Sequence, residues 1–179
     1  MASTHEATEQ NQFLTFLLAE ELYAIHILRV REIIEYDTIT RVPNMPASIR
    51  GVVNLRGSVV PVIDLAMCFG LRDSSMNRRT CVIIAEVEVN GERMVIGLRA
   101  DAVSQVIDLL YADIQPPPAF GTRVRVDFLK GLGKIGKKFI LILDLDRALT
   151  ATDLPSLAGA QKVVFSPEGR EAQSAPTVI

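Results

Sequence analysis

The chain has no tryptophan, only two histidines and two cysteines, and an aromatic content of 6%. Each scarcity narrows the chemistry available. Of the histidines, His5 lies in the polar opening segment and His26 sits in the middle of an apolar, strand-like run, so neither is offered as a catalytic base. Cys68 and Cys81 have neither metal-site nor redox spacing, and no histidine stands near them in sequence. Reduced, buried thiols and a cytoplasmic location are the simplest expectation. No HExxH, paired CxxC or Walker-type loop occurs. A formal net charge of −2 sets up no long-range field, so a general nucleic-acid-binding role is not expected. Lys134, Lys137 and Lys138 do cluster, but as a solvated turn. Apolar runs such as 139–143 are far shorter than the ~20 residues needed to span a bilayer. The opening segment 1–12 lacks a signal peptide's apolar core.

Strand signals dominate what is present. Residues 13–18 and 22–28 are apolar and β-rich, and Ala19-Glu20-Glu21 between them reads as a hairpin turn. Residues 30–36, 52–55, 59–63, 81–89, 93–98, 103–109, 124–129 and 139–143 continue in the same style. Asn90-Gly91, between two such runs, is the strongest two-residue hairpin signal. Helical signals are few: Pro46 opens a brief stretch to Arg50, while Asp64 and Asp144 are placed to cap short helices over 65–69 and 145–149.

The chain also repeats itself. Val59-Val60-Pro61-Val62-Ile63-Asp64-Leu65 and Phe139-Ile140-Leu141-Ile142-Leu143-Asp144-Leu145 align at an offset of 80, with Gly51, Val52 and Leu55 falling on Gly131, Leu132 and Ile135. Tyr23-Ala24-Ile25 and Met94-Val95-Ile96 align at a smaller offset, as do Val30, Ile33 and Ile34 with Val103, Val106 and Ile107. Four matches in one order, with glycine and aspartate in register, indicate duplication. The expectation is an all-β protein of two pseudo-symmetric, five-stranded β-barrels with short connecting helices. Closure removes most sheet edges. The folded part is expected over residues 12–150, as two interleaved barrel subdomains with a seam near 71–80. Residues 1–11 and the Ala/Ser/Gly/Pro-rich segment 151–179 are expected to be disordered.

Gly131-Leu132-Gly133-Lys134-Ile135-Gly136 matches GxGxxG letter by letter. That motif binds a dinucleotide only when a helix follows and aims its amides at the pyrophosphate. Here a strand-like run follows, so these glycines serve a turn, and no cofactor or metal is expected. A small enzyme or ligand-binding barrel would need convergent titratable groups in a pocket, and none can be assembled from the sequence. Binding, not catalysis, is the expected work.

Between residues 12 and 150 the chain resembles the CheW family of chemotaxis coupling proteins. The resemblance is carried by Tyr23-Ala24-Ile25, Val30-Arg31-Glu32-Ile33, Arg41-Val42-Pro43-Asn44-Met45-Pro46, and above all by Gly51-Val52-Val53-Asn54-Leu55-Arg56-Gly57 followed by Val60-Pro61-Val62-Ile63-Asp64-Leu65. In the second half it is carried by Gly97, Asp101, Val103, Val106, Pro116-Pro117-Pro118-Ala119-Phe120 and Gly131-Leu132-Gly133. It implies SH3-like barrels and a cytoplasmic, non-enzymatic adaptor recruited to membrane-associated receptor arrays. The implied partners are a chemoreceptor cytoplasmic tip and the regulatory domain of a CheA-type histidine kinase. Motility is one implied output; twitching, gliding or another kinase-based output is the alternative. Carried over by position, receptor binding would fall to Val30, Glu32, Ile33, Gly51, Asn54, Arg56, Val103 and Val106. Kinase binding would fall to Gln115, Pro118 and Phe120. Arg56 suits bidentate recognition of carboxylates or carbonyls; bracing the junction between barrels is the alternative role. Phe120 either meets the kinase or plugs the second barrel.

Overall fold

A computed structural model describes residues 11–72, 75–118 and 124–151. Phe120 and most of the two ends expected to be disordered lie outside these residues. The first repeat contributes β1 (Gln12–Leu18), β2 (Glu21–His26), β3 (Val30–Glu35), β4 (Ile49–Leu55), β5 (Ser58–Ile63) and helix α1 (Leu65–Cys68). The second contributes β6 (Cys81–Val89), β7 (Glu92–Ala100), β8 (Ala102–Asp108), β9 (Ile114–Gln115), β10 (Leu129–Ile135), β11 (Lys138–Leu143) and helix α2 (Leu145–Thr150).

The strands form two curled sheets, ordered β3-β6-β7-β5-β4 and β8-β1-β2-β11-β10-β9. The protein is all-β, with two SH3-like barrels, and the repeats exchange their hairpins. The β6–β7 hairpin of the second repeat completes the first barrel, and the β1–β2 hairpin of the first repeat completes the second. Two parallel seams seal the exchange: Val62 and Ile63 beside Gly97 and Leu98, and Leu141 and Ile142 beside Tyr23 and Ala24. The first barrel has five strands. The second has six only because β9 lies against Leu132 and Gly133; its counterpart in the first barrel is the single bridge Thr40–Val52.

Exchange explains why residues 81–89 read as an almost unbroken apolar run. Val82 and Ile84 face the core of the first barrel, whereas Ile83, Ala85 and Val87 face a central core between the barrels. In the second barrel Ala24 and Ile140 turn inward while Tyr23 and Ile25 join the central core. Each wholly buried Ile or Leu contributes about 1.5–3 kcal/mol, so the central core binds the barrels into one unit.

Residues 27–28, expected within a strand, open a 3₁₀ turn, Ile27–Arg29, and two further elements differ from the sequence-based expectation. The stretch 46–50 is a turn, not a helix: Ile49 N–H donates to the Pro46 carbonyl, and the chain enters β4 at once. The run expected as a strand over 124–129 contains a 3₁₀ turn, Val126–Phe128, which lets the Phe128 carbonyl accept the Asp144 N–H. Ser48 and Asp64 make the same contact in the first barrel. Ala19 and Glu20 do form the first hairpin turn, both with positive φ (47° and 69°).

Gly51 and Gly131 are placed by one constraint used twice. Each follows a register shift in its strand, and each is crossed by the segment that bridges that strand. A Cβ on Gly51 collides with the Thr40 carbonyl oxygen, and a Cβ on Gly131 lies 2.7 Å from the Gln115 oxygen. Gly51 also has φ +152°. Gly51→Ala should therefore destabilise the fold by about 3 kcal/mol or more. Gly57→Ala, at φ +86° but in open space, should cost only about 1 kcal/mol. Urea denaturation of both variants separates collision from backbone strain.

Candidate functional site

The strands that carry Val30, Glu32 and Ile33 (β3) and Val103 and Val106 (β8) are both sheet edges. β3 borders the five-stranded sheet and β8 the six-stranded one. Val30 and Val103, at matching places in the repeats, are half-buried and pack on the central core from opposite barrels. Further along, Ile33 and Val106 stand 45% and 48% exposed. A register shift between Val30 and Glu32 produces this change of facing: Val30 turns to the central core, and Ile34 to the first barrel's own core. Each edge strand thus presents an exposed apolar residue beyond a half-buried valine that packs on the shared core.

The other residues expected to bind a receptor fall into two groups. Arg56 sits in the β4–β5 turn with φ 52°, and its side chain is 85% exposed. Its guanidinium lies 3.8 Å from the half-buried Glu32 carboxylate on β3, a loose, solvated pair of at most about 1 kcal/mol. Both residues belong to the first barrel, so Arg56 is not a brace across the junction. Gly51 is buried and supplies the close crossing described above. Asn54 accepts the Gly57 N–H at 3.0 Å and shapes the turn that displays Arg56.

Of the residues expected to bind a kinase, Gln115 is exposed on β9, and Pro118 lines a cavity of about 710 Å³ with Leu17, Leu22, Leu132, Phe139 and Leu141. Phe139 is 56% exposed there, an apolar surface residue that alternation along β11 could have flagged.

The strongest electrostatic feature was not foreseen. Asp64 and Asp144 both cap helices as expected, accepting N–H bonds from Met67 and Arg147 at 3.2 Å each. Asp64, however, is wholly buried and also accepts bonds from Arg50 (2.8 Å) and from Arg99 (3.2 Å), itself only 2% exposed. The Arg99 guanidinium lies over the Tyr36 ring, 5.6 Å from its centroid. Its Nη1 is also 3.9 Å from Asp101, whose carboxylate accepts the Ala19 N–H at the β1–β2 turn. One charge network thus ties the base of the Arg56 arm to the borrowed hairpin. Arg99 escaped the sequence reading because a lone arginine in a strand looks like a solvated one.

Burial pushes the Cys68 thiol up to about 11 from 9.0, with the nearby Asp64 charge adding to the shift, and burial also raises Cys81. Among the described residues, no group of three or more His, Cys, Asp or Glu side chains is arranged to hold a metal ion, and no helix is long and apolar enough to cross a membrane.

An exchanged pair of SH3-like barrels joined by a shared core defines the class of this domain. The CheW-like domain profile matches residues 12–153. The chain is 37% identical to the chemotaxis protein CheW of Klebsiella aerogenes over 147 residues, covering 82% of this chain and 86% of that protein. It is 31% identical to the CheW of Treponema pallidum over 150 residues, covering 84% and 88%. The crystal structure of the scaffolding protein TtCheW from Thermoanaerobacter tengcongensis superposes with a TM-score of 0.69 at 36% identity, covering 78% of this chain and 88% of that one. The chain belongs to the CheW-like domain family.

The two capping aspartates should respond differently to neutralisation. Asp64→Asn strands two guanidinium groups, one of them deeply buried, and should cost about 3–5 kcal/mol. Asp144→Asn, which still offers a capping oxygen, should cost less than about 1 kcal/mol. Urea midpoints test both. Because thiolate is the reactive form, native Cys68 should resist alkylation at pH 8 and react once the protein unfolds. The raised pKa favours the folded state below pH 9, and that contribution should fade as pH rises toward 11.

Proposed function

We propose that this protein is a non-enzymatic chemotaxis adaptor that couples chemoreceptor cytoplasmic tips to the regulatory domain of a CheA-type histidine kinase. In this reading it works in the cytoplasm, recruited to membrane-associated receptor arrays. The observation that carries the reading is the apolar rim on two edge strands from different barrels. Val30 and Val103 form its half-buried floor, with Ile33 and Val106 exposed above them. Such a rim suits the apolar face of a helical hairpin laid in a groove. Glu32 and Arg56 add polar selectivity at its margin, while Gly51 and Asn54 act through the backbone that displays Arg56. Gln115 and Pro118, on the second barrel, form the kinase side together with Phe120, which lies outside the described residues. Family membership supports the reading, and the relatives named above are chemotaxis proteins.

Pulldown with a receptor cytoplasmic fragment and a kinase regulatory domain tests it. Val106→Asp should lower receptor affinity at least tenfold and leave kinase binding and the thermal midpoint unchanged. Phe120→Ser should do the reverse. A folded wild-type protein that captures neither partner would end the proposal.

A further inference from the structure

Around the parallel seams and the bridging segments, residues of one barrel have identifiable counterparts in the other. Thr40 bridges Val52 as Gln115 pairs with Leu132, which aligns the 3₁₀ turn Tyr36–Thr38 with Tyr111–Asp113. Tyr36 is therefore the counterpart of Tyr111. In the parallel seams Ile63 lies beside Leu98, and Ile142 beside Ala24. Continuing each register sets Asp64 against Arg99 and Asp144 against His26, so His26 stands where the first barrel has Arg99.

The two tyrosines have opposite fates. Tyr36 is half-buried, packs on the first barrel's core and lies beneath the Arg99 guanidinium. Tyr111 is 81% exposed, beside Leu110 at 66%. At the position that holds Arg99 in the first barrel the second has His26, whose imidazole is engaged locally, accepting the Leu28 N–H and meeting the Phe13 ring edge-on. Tyr111 also stands between two exposed acids, Asp108 and Asp113, whose carboxylates have no ion-pair partner among the described residues.

We infer that Tyr111 is a docking point for an arginine presented by the kinase regulatory domain, which supplies from outside the cation that Arg99 supplies to Tyr36 from within. The chemistry of the occupant is set by the first barrel: a guanidinium over a tyrosine ring, with a carboxylate close by. Leu110 offers an apolar bed for the arginine's methylene stem. Asp113 and Asp108 provide the opposite charge, which strengthens steering and specificity. The kinase is the partner because Tyr111 leads within four residues to Gln115 and then to Pro118, so this inference rests on the kinase-coupling reading above.

The test uses the full-length protein with the kinase regulatory domain and, separately, a receptor fragment. Tyr111→Ala should weaken kinase binding by about threefold to thirtyfold, while Tyr111→Phe, which keeps the ring, should bind nearly as wild type. Asp113→Asn should weaken binding less and flatten its dependence on salt. Both positions are exposed, so thermal midpoints should not move. If Phe120→Ser lowers kinase affinity but Tyr111→Ala does not, this inference fails and the coupling function stands. Loss of receptor binding alone in Tyr111→Ala would also overturn it, as would equal losses in Tyr111→Ala and Tyr111→Phe. If the wild-type protein binds no kinase domain, both readings fall together.

Discussion

Everything in this molecule depends on the two parallel seams through which each repeat completes the other's barrel. A sheet curls shut only when its last strand finds a partner. Here that partner comes from the opposite half of the chain: β7 beside β5, and β2 beside β11. The exchanged hairpins then have both faces covered, one by a barrel core and one by the central core. That double burial holds the edge strands β3 and β8 at fixed places on a common floor. An apolar rim shared by two barrels keeps its shape only if the barrels cannot slide, and the shared core supplies that rigidity.

Duplication gave both barrels the same frame, and later changes gave them different electrostatics. The aspartate after β5 and the aspartate after β11 cap helices in the same way, yet only the first is sunk among arginines. A buried carboxylate with two guanidinium partners is weak evidence of added stability over an apolar core. It is better evidence of specificity, because few alternative packings can satisfy all three charges. The first barrel holds six of the eight residues proposed for the receptor, and it is the barrel whose turns and helix cap are tied together by this network. In the second barrel the matching acid, Asp144, is partly exposed and meets Arg147 only at 3.9 Å.

Much of this was legible in the residues. The offset of 80 between the two Asp-Leu segments anticipated the pseudo-symmetry, and the capping role of both aspartates followed from their place before short apolar stretches. Asn90-Gly91 marked its turn correctly, and Gly91 takes φ 79° there. Interleaved barrels were expected, but which hairpins cross between them was hidden, because a repeat in sequence does not say which copy of a strand a sheet will recruit. The cluster around Asp64 was hidden for a related reason: Arg50, Asp64 and Arg99 lie far apart in sequence, and only sheet register brings them together. Residues 46–50 misled because proline at a helix start and proline before a strand look alike over five residues. Residues 124–129 misled because Val and Phe serve a 3₁₀ turn as readily as a strand when the next element demands a bend.

The seam between Tyr23 and Leu141 joins almost the first described strand to the last. A ribosome delivers β1 and β2 long before β11 exists, so the early hairpin must wait with one edge open through most of synthesis. Pairings this distant in sequence slow folding, because the loop must close before the contacts are gained. Neither half of the chain can reach its native barrel alone. A product truncated before β11 would expose the edge of β2 and the apolar faces on either side of it, as would a chain cut between the repeats.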